Sequence, residues 1–315
     1  MENVMKSAKT RNRIRHSKGD RVFAAIIYTL LALFVLIEMY PIIYVISASF
    51  SDPNAVASGK MLLLPVNPSF SGYKYIFSYS EIWVGYGNTL FYTVMGTLIN
   101  LAVTIPAAYA LSRRDFKDKG FFMTIFMFTM YFGGGMIPSY LNMYELHLLN
   151  TRWVMLLNGA LSVYNMIVAR TFFANTIPWE LHEAARIDGA GNFRVFLQIV
   201  LPLSAPIIVV MTLYYGVGHW NAYFNAMMYL AQARKLWPLQ MFLREILIKG
   251  QFATTAMMDN RSYTMEEMVA LIKAAETANM IKFCIIIVAT APMMVIYPWL
   301  QKFFAKGVMI GSVKG

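Results

Sequence analysis

Long stretches without a charged residue alternate with short segments rich in Lys and Arg. Between Val22 and Ser47 the only charge is Glu38. Ile82–Leu111, Gly120–Tyr144 and Trp153–Ala169 contain no Asp, Glu, Lys or Arg, and neither does Val195–Ala233. Phe283–Gln301 is the last such run before a basic Lys302. At 1.5 Å per residue, about 20 apolar residues in a helix cross the hydrocarbon of a bilayer. The pattern predicts six transmembrane helices, near residues 22–46, 87–111, 120–139, 153–174, 201–225 and 281–303. The first exceeds the roughly 7–15 apolar residues of a secretory signal, so it is expected to stay attached as an anchor.

Composition agrees with this reading. Hydrophobic residues make up 58% of the 315 and charged residues only 14%, against about 25% charged in a soluble domain. The expected class is an all-α integral membrane protein. Orientation follows from Lys and Arg in short loops. Lys6, Lys9, Arg11, Arg13, Arg15, Lys18 and Arg21 precede the first span; Arg113, Arg114, Lys117 and Lys119 follow the second; Lys302, Lys306 and Lys314 close the chain. Six spans put all three groups on one side, so both termini are expected in the cytoplasm of a plasma or inner membrane. Nearly all of the +11 net charge then records topology and contact with anionic lipid, not a nucleic-acid partner. The chain divides into a basic leader (1–21), the first span with an extracytoplasmic loop (22–86), a core (87–304) and a cytoplasmic tail (305–315). Cys284 is the only cysteine, which excludes an intrachain disulfide.

Between spans four and five lies a cytoplasmic segment, 176–202. Pro178 suits the first turn of a helix, and Trp179–Ile187 reads as a short amphipathic one. Asp188-Gly189 stops it, glycine supplying the left-handed conformation of a helix end. Asn192 reads as the N-cap of a second helix, which ends where Pro202 turns the chain into span five. Small residues, Ala184 and Ala185, beside the charge of Glu183 fit a docking element, or else a loop that merely joins two spans.

The spacing of Glu183-Ala184-Ala185, Gly189, Ile199 and Leu201-Pro202 resembles the EAA motif of ABC-importer permeases. The resemblance implies that the segment is a coupling helix seated in a cleft of an ATPase subunit. Glu183 would be its charged anchor, Ala184 and Ala185 its tight contact, Gly189 its turn, and Ile199, Leu201 and Pro202 the link to span five. The whole chain is similar to the second permease of maltose-type carbohydrate importers. Gly133-Gly134-Gly135 with Pro138, and the tail from Lys306 to Gly315, look like a subgroup importing complex or acidic oligosaccharides. Implied partners are a second, homologous permease in a heterodimer, two ATPase subunits using ATP and Mg, and an extracytoplasmic solute-binding protein. By the same resemblance the tail reaches towards the ATPases; as a plain sequence it is a frayed basic end.

The chain itself is expected to bind no cofactor. Ser58-Gly59-Lys60-Met61 lacks the upstream glycine and the hydroxyl of a P-loop, and His16, His147, His182 and His219 are scattered. Neither a metal nor a hydrolytic centre is expected, and the chain reads as a transport subunit, not an enzyme. Rival readings are an importer of peptides or other polar solutes, a membrane-embedded enzyme and a stand-alone carrier.

A substrate path is harder to read. Glu38 is an intramembrane carboxylate, a functional position by default, or a structural hydrogen-bonder for which His219 is a candidate partner. Trp220, Tyr223 and Phe224, at i, i+3, i+4, share a face if one helix carries them; they fit either a saccharide path or an interfacial aromatic belt. Gly133, Gly134 and Gly135 fit a gate hinge or a close helix contact. The long extracytoplasmic loop, 226–280, is expected to hold helices near Leu239–Lys249 and Met265–Ala278 and to face the binding protein.

Overall fold

The computed structural model describes residues 17–258 and 264–312, all of them helical or in connecting segments with no strand. The chain divides into two units, Met1–Ser69 and Phe70–Gly315. In the first, helix α1 spans Lys18–Ser49. Ser17 and Asp20 cap it reciprocally, each side chain accepting the other's backbone N–H. Its apolar residues, Leu30, Phe34 and Ile37 among them, are exposed all round, as expected of a helix whose surroundings are lipid or another chain. Only Ser47, Ala48 and Ser49 are buried, beneath a turn carrying α2 (Pro53–Ala57). Of the basic leader, 1–16 lie outside the described residues, and Lys18 and Arg21 already belong to α1.

The second unit runs α3 (Ser71–Ser78), α4 (Ser80–Ser112), α5 (Lys119–Tyr131), α6 (Met136–Glu145), α7 (Arg152–Leu157) and α8 (Val163–Thr176). It continues through α9 (Trp179–Ile187), α10 (Asn192–Val195), a π-helical turn (Phe196–Val200) and α11 (Leu201–Leu203). Then follow α12 (Ala205–Trp220), α13 (Tyr223–Tyr229), a 3₁₀ turn (Arg234–Leu236), α14 (Leu239–Met258) and α15 (Met265–Ser312).

Helix α4 is the axle. Its buried face carries Asn88, Thr89, Tyr92, Gly96, Asn100, Thr104 and Tyr109, a polar stripe at helical spacing. Polar side chains join helices in membranes because lipid offers their hydrogen-bonding groups no substitute. Asn88 donates to the carbonyls of Lys235 (2.8 Å) and Trp237 (3.0 Å), Tyr92 to that of Leu236 (2.8 Å), and Thr89 accepts from the Leu239 amide (2.8 Å). Lower down, Asn100 donates to the carbonyls of Gly159 (3.1 Å) and Ala160 (2.8 Å). Proline at 292 cannot donate to the carbonyl four residues back; Tyr86 donates to that freed Val288 oxygen at 2.6 Å, and the Trp220 indole to Ala289 at 2.9 Å.

Several elements differ from the sequence pattern. Three helices, α1, α4 and α15, are long and apolar enough by themselves to cross a membrane, and two bent pairs bring the number to five if each is one span. The expected span 153–174 is two pieces, α7 and α8, broken at 158–162, where Asn158 and Gly159 leave the helix. The expected span 120–139 breaks after Tyr131, and α5 and α6 meet at 113°. The bend expected at Pro202 falls at Ser204, whose hydroxyl donates to the Val200 carbonyl; α10–α11 and α12 meet there at 79°. Helix α4 starts seven residues before the expected 87, and α15 joins the expected helix at 265–278 to the last span without interruption. It also carries the tail to Ser312, so the backbone there is helical where fraying was one reading.

Gly96 of α4 leaves room for the His219 ring of α12, which a Cβ placed there would strike. Gly96→Ala should therefore lower the thermal stability of the detergent-purified chain by about 1–3 kcal/mol, the range of an overpacked core. Gly87→Ala, on the same helix with open space around it, should be neutral or slightly stabilising. Equal melting temperatures for the two variants would contradict the close approach.

Candidate functional site

The segment 176–202 is a helix–turn–helix held against the C-terminal end of α4. Helix α9 covers Trp179–Ile187, with Pro178 immediately before it. Gly189, at φ +75°, ends it, and the amides of Asp188, Gly189 and Ala190 return to the carbonyls of Ala184, Arg186 and Ala185. The next helix begins at Asn192 with Gly191 as its cap, so the N-cap expected at Asn192 falls one residue earlier.

Three ties fix α9. Asp115 accepts both guanidinium nitrogens of Arg113, at 2.8 and 2.6 Å, and also pairs with Arg186 of α9. Tyr109, at the foot of α4, accepts from Arg113 at 3.0 Å and lies 3.1 Å from Nε2 of His182. The rings of Trp179, His182, Tyr109 and Phe196 stack in sequence, with centroids 4.9–5.9 Å apart. Arg113 above all, then Arg186, holds the Asp115 carboxyl well below the usual carboxylate range. Burial first, then Arg113, lowers the His182 imidazole, and its Nδ1 is buried without a partner among the described residues.

Burial separates the motif into two faces. His182 and Ala185, three residues apart, point into the chain's own core with Ile105, Phe173 and Val195. Ala185, which the resemblance pairs with Ala184 as a contact, is packed on this chain's own core. Glu183, Ala184 and Gly189 are exposed, while Ile199 and Leu201 are half-buried on that same core and Pro202 is exposed. Two residues the motif does not name are also exposed: Ile187 at 87% and Phe193 at 74%. The sequence carries a signal for Ile187, since it follows Glu183 by four and so shares its face. Phe193, across the turn, carried none.

The residues read as a possible path fall on separate elements. Glu38 is exposed on α1. His219 has its Nε2 on the Asn100 side-chain oxygen at 2.6 Å. Helix α12 ends at Trp220, which is buried with its indole N–H committed to α15. Asn221 and Ala222 then turn, so Tyr223 and Phe224 begin a different helix and do not share a face with Trp220. Both are part-exposed, and the Arg244 guanidinium stands 5.6 Å over the Tyr223 ring. Gly133, Gly134 and Gly135 lie in the link between α5 and α6, with Gly135 at φ +90°. Among the described residues no group of three or more His, Cys, Asp or Glu is placed to hold a metal ion.

No protein-family model matches the chain. Known proteins do. The polygalacturonan/rhamnogalacturonan transport system permease protein YtcP of Bacillus subtilis is 40% identical over 298 residues, covering 94% of this chain and 99% of that protein. Protein LplC of the same organism is 37% identical over 302 residues, covering 96% and 98%. A chain in the crystal structure of a bacterial ABC transporter involved in the import of the acidic polysaccharide alginate superposes with a TM-score of 0.78. It is 34% identical, and the match covers 93% of this chain and all of that one.

A base whose folded pKa is lowered stabilises the fold while neutral; that contribution is complete above the unfolded value, about 6.5, and is lost as pH falls below it. Amide exchange across 179–190 should therefore accelerate, beyond its intrinsic pH dependence, between about pH 7 and 5. His182→Phe should remove that extra acceleration. Asp115→Asn should speed exchange equally at both ends of the window, because Asp115 stays ionised throughout it. A wild-type profile with no excess acceleration would contradict the role of His182.

Proposed function

The chain belongs to the permease subunits of ABC importers for oligosaccharides, and from that premise we propose how its parts serve import. It is a transport subunit of an inner membrane, and ATP is hydrolysed in a separate ATPase. In the proposed assembly the chain crosses the membrane six times with both termini in the cytoplasm. Beside it stand a second, homologous permease in a heterodimer, two ATPase copies using ATP and Mg, and an extracytoplasmic solute-binding protein facing 226–280. The cargo is an acidic oligosaccharide, supported by the polygalacturonan and alginate in the descriptions of two similar proteins.

Helix α9 is the proposed dock for the ATPase. The observation that carries this is a pair of large apolar side chains, Ile187 and Phe193, left in the open beside Glu183 and Ala184 on an otherwise tied-down element. Exposed apolar groups rimmed by charge mark interaction surfaces. An ATPase that closes on ATP moves α9, and the Asp115 and Tyr109 ties carry the displacement to the foot of α4. Alternating access follows as a rigid-body shift of packed helices. The link at Gly133–Gly135 is the proposed gate hinge, since non-helical backbone at membrane depth survives only when covered by protein or lining a cavity.

The assembled importer in proteoliposomes tests this. Glu183→Arg, Ile187→Glu and Gly189→Val should each leave membrane insertion intact and abolish both saccharide uptake and saccharide-stimulated ATP hydrolysis. At Gly189 the strain comes from φ +75°, since nothing lies within 4 Å of an added Cβ. Normal coupling in all three would remove α9 as the dock.

A further inference from the structure

A cavity of about 340 Å³ opens among α3, the start of α4, α14 and the start of α15. It lies at the opposite end of α4 from the coupling segment. Two tyrosines form one wall: the rings of Tyr75 and Tyr79 are 5.2 Å apart and their hydroxyls 3.0 Å apart. Charged groups line the cavity as well. Arg234 is committed to Glu81 through two bonds of 2.9 Å and to Glu245 at 2.8 Å. It is further fixed over the rings of Trp237 and Phe242, at 4.9 and 5.4 Å. Both carboxylates of the cavity are therefore used.

The two lysines are not used in the same way. Lys249 shares Glu245 at 2.7 Å but keeps 69% of its side chain exposed. Lys273 lines the same cavity, is exposed, and has no carboxylate partner among the described residues. The wall thus combines aromatic faces, hydroxyls and cationic groups not fully neutralised. A neutral sugar uses the first two, its C–H face on a ring and its hydroxyls in hydrogen bonds. Only a sugar acid also uses the third, because a carboxylate leaving water needs a charged partner. The volume falls in the range of small-ligand pockets, about 300–1,000 Å³, enough for a sugar unit and not for a chain.

We propose that this cavity is a subsite for one uronate unit of an acidic oligosaccharide on the extracytoplasmic side, its carboxylate on Lys273 and Lys249 and its ring on Tyr79. This rests on the reading that the cargo is an acidic oligosaccharide, and it adds where on this chain the acid is felt.

Digalacturonate and its dimethyl ester are the probes, titrated against the full chain in detergent by calorimetry and followed in uptake by the assembled importer. The wild-type chain should bind the acid roughly tenfold more tightly than the ester, the worth of one charge-assisted hydrogen bond. Lys273→Ala and Lys249→Ala should each remove most of that preference without changing ester binding. Tyr79→Ala should weaken both ligands. All three side chains are at the surface, so the variants should insert and fold as wild type, checked by their melting temperatures. Equal binding of acid and ester, lysine variants that bind like wild type, or acetate competing as well as digalacturonate would each overturn the subsite. Uptake separates the two readings. A wild-type importer that carries digalacturonate, with lysine variants that bind it normally, refutes the cavity alone. A wild-type importer that carries neutral saccharides and refuses digalacturonate refutes the acidic cargo, and the subsite with it.

Discussion

A broken helix inside a bilayer exposes backbone groups that lipid cannot satisfy, and each one left alone costs several kcal/mol. This protein contains several interruptions of its helices, and α4 answers two of them. Within an expected span Asn100 takes the carbonyls freed at Gly159 and Ala160; beyond the expected spans Asn88, Thr89 and Tyr92 take the backbone where α13 gives way to α14. Tyr86 from the same helix and Trp220 from α12 take the carbonyls around Pro292 of α15. The uneven helices of the second unit are thus compatible with a membrane because one long, unbroken helix carries a stripe of amides and hydroxyls. Its neutral polar groups do this without the far larger desolvation cost of charge.

The same helix has charge at both of its ends. At its start Glu81 joins Arg234 and Glu245; at its foot Tyr109 and the adjoining Arg113 and Asp115 hold α9. The two networks differ in what they leave free. The one at α9 leaves apolar surface, Ile187 and Phe193, which suits a protein partner. The one at Glu81 leaves lysine beside tyrosine, which suits the proposed sugar acid. Side chains of one sign or one polarity at either end would not make that distinction.

Much of this was legible in the sequence, and what was not has a common cause. Helix α9 has the bounds expected from Pro178 and Asp188-Gly189, because short-range stop signals decide them. The apolar runs indicated where membrane helices lie, but not where they break. Whether Asn158-Gly159 can interrupt a helix depends on Asn100, some sixty positions away. Whether α12 can end at Trp220 depends on an acceptor in α15. Helical spacing alone placed Trp220, Tyr223 and Phe224 on one face, and the turn at Asn221-Ala222 separates them. The adjacent alanines, 184 and 185, read alike in sequence; only burial shows that one faces the core.

His219 illustrates how the physical prior on intramembrane polar groups should be applied. An ionisable residue in a span suggests a pathway, yet His219 sits against Gly96 and bonds to Asn100, which in turn holds the break at 158–162. It closes a hydrogen-bond chain from α12 through α4 to the α7–α8 link. That chain lies on the same helix as the ties to α9. A displacement of the foot of α4 therefore reaches the break through side chains that have no water to rebond to, which favours movement as a unit over local loosening. A long axle whose amides and phenols bond to the helices around it, with α9 tied to one end, is what transmission across a membrane requires.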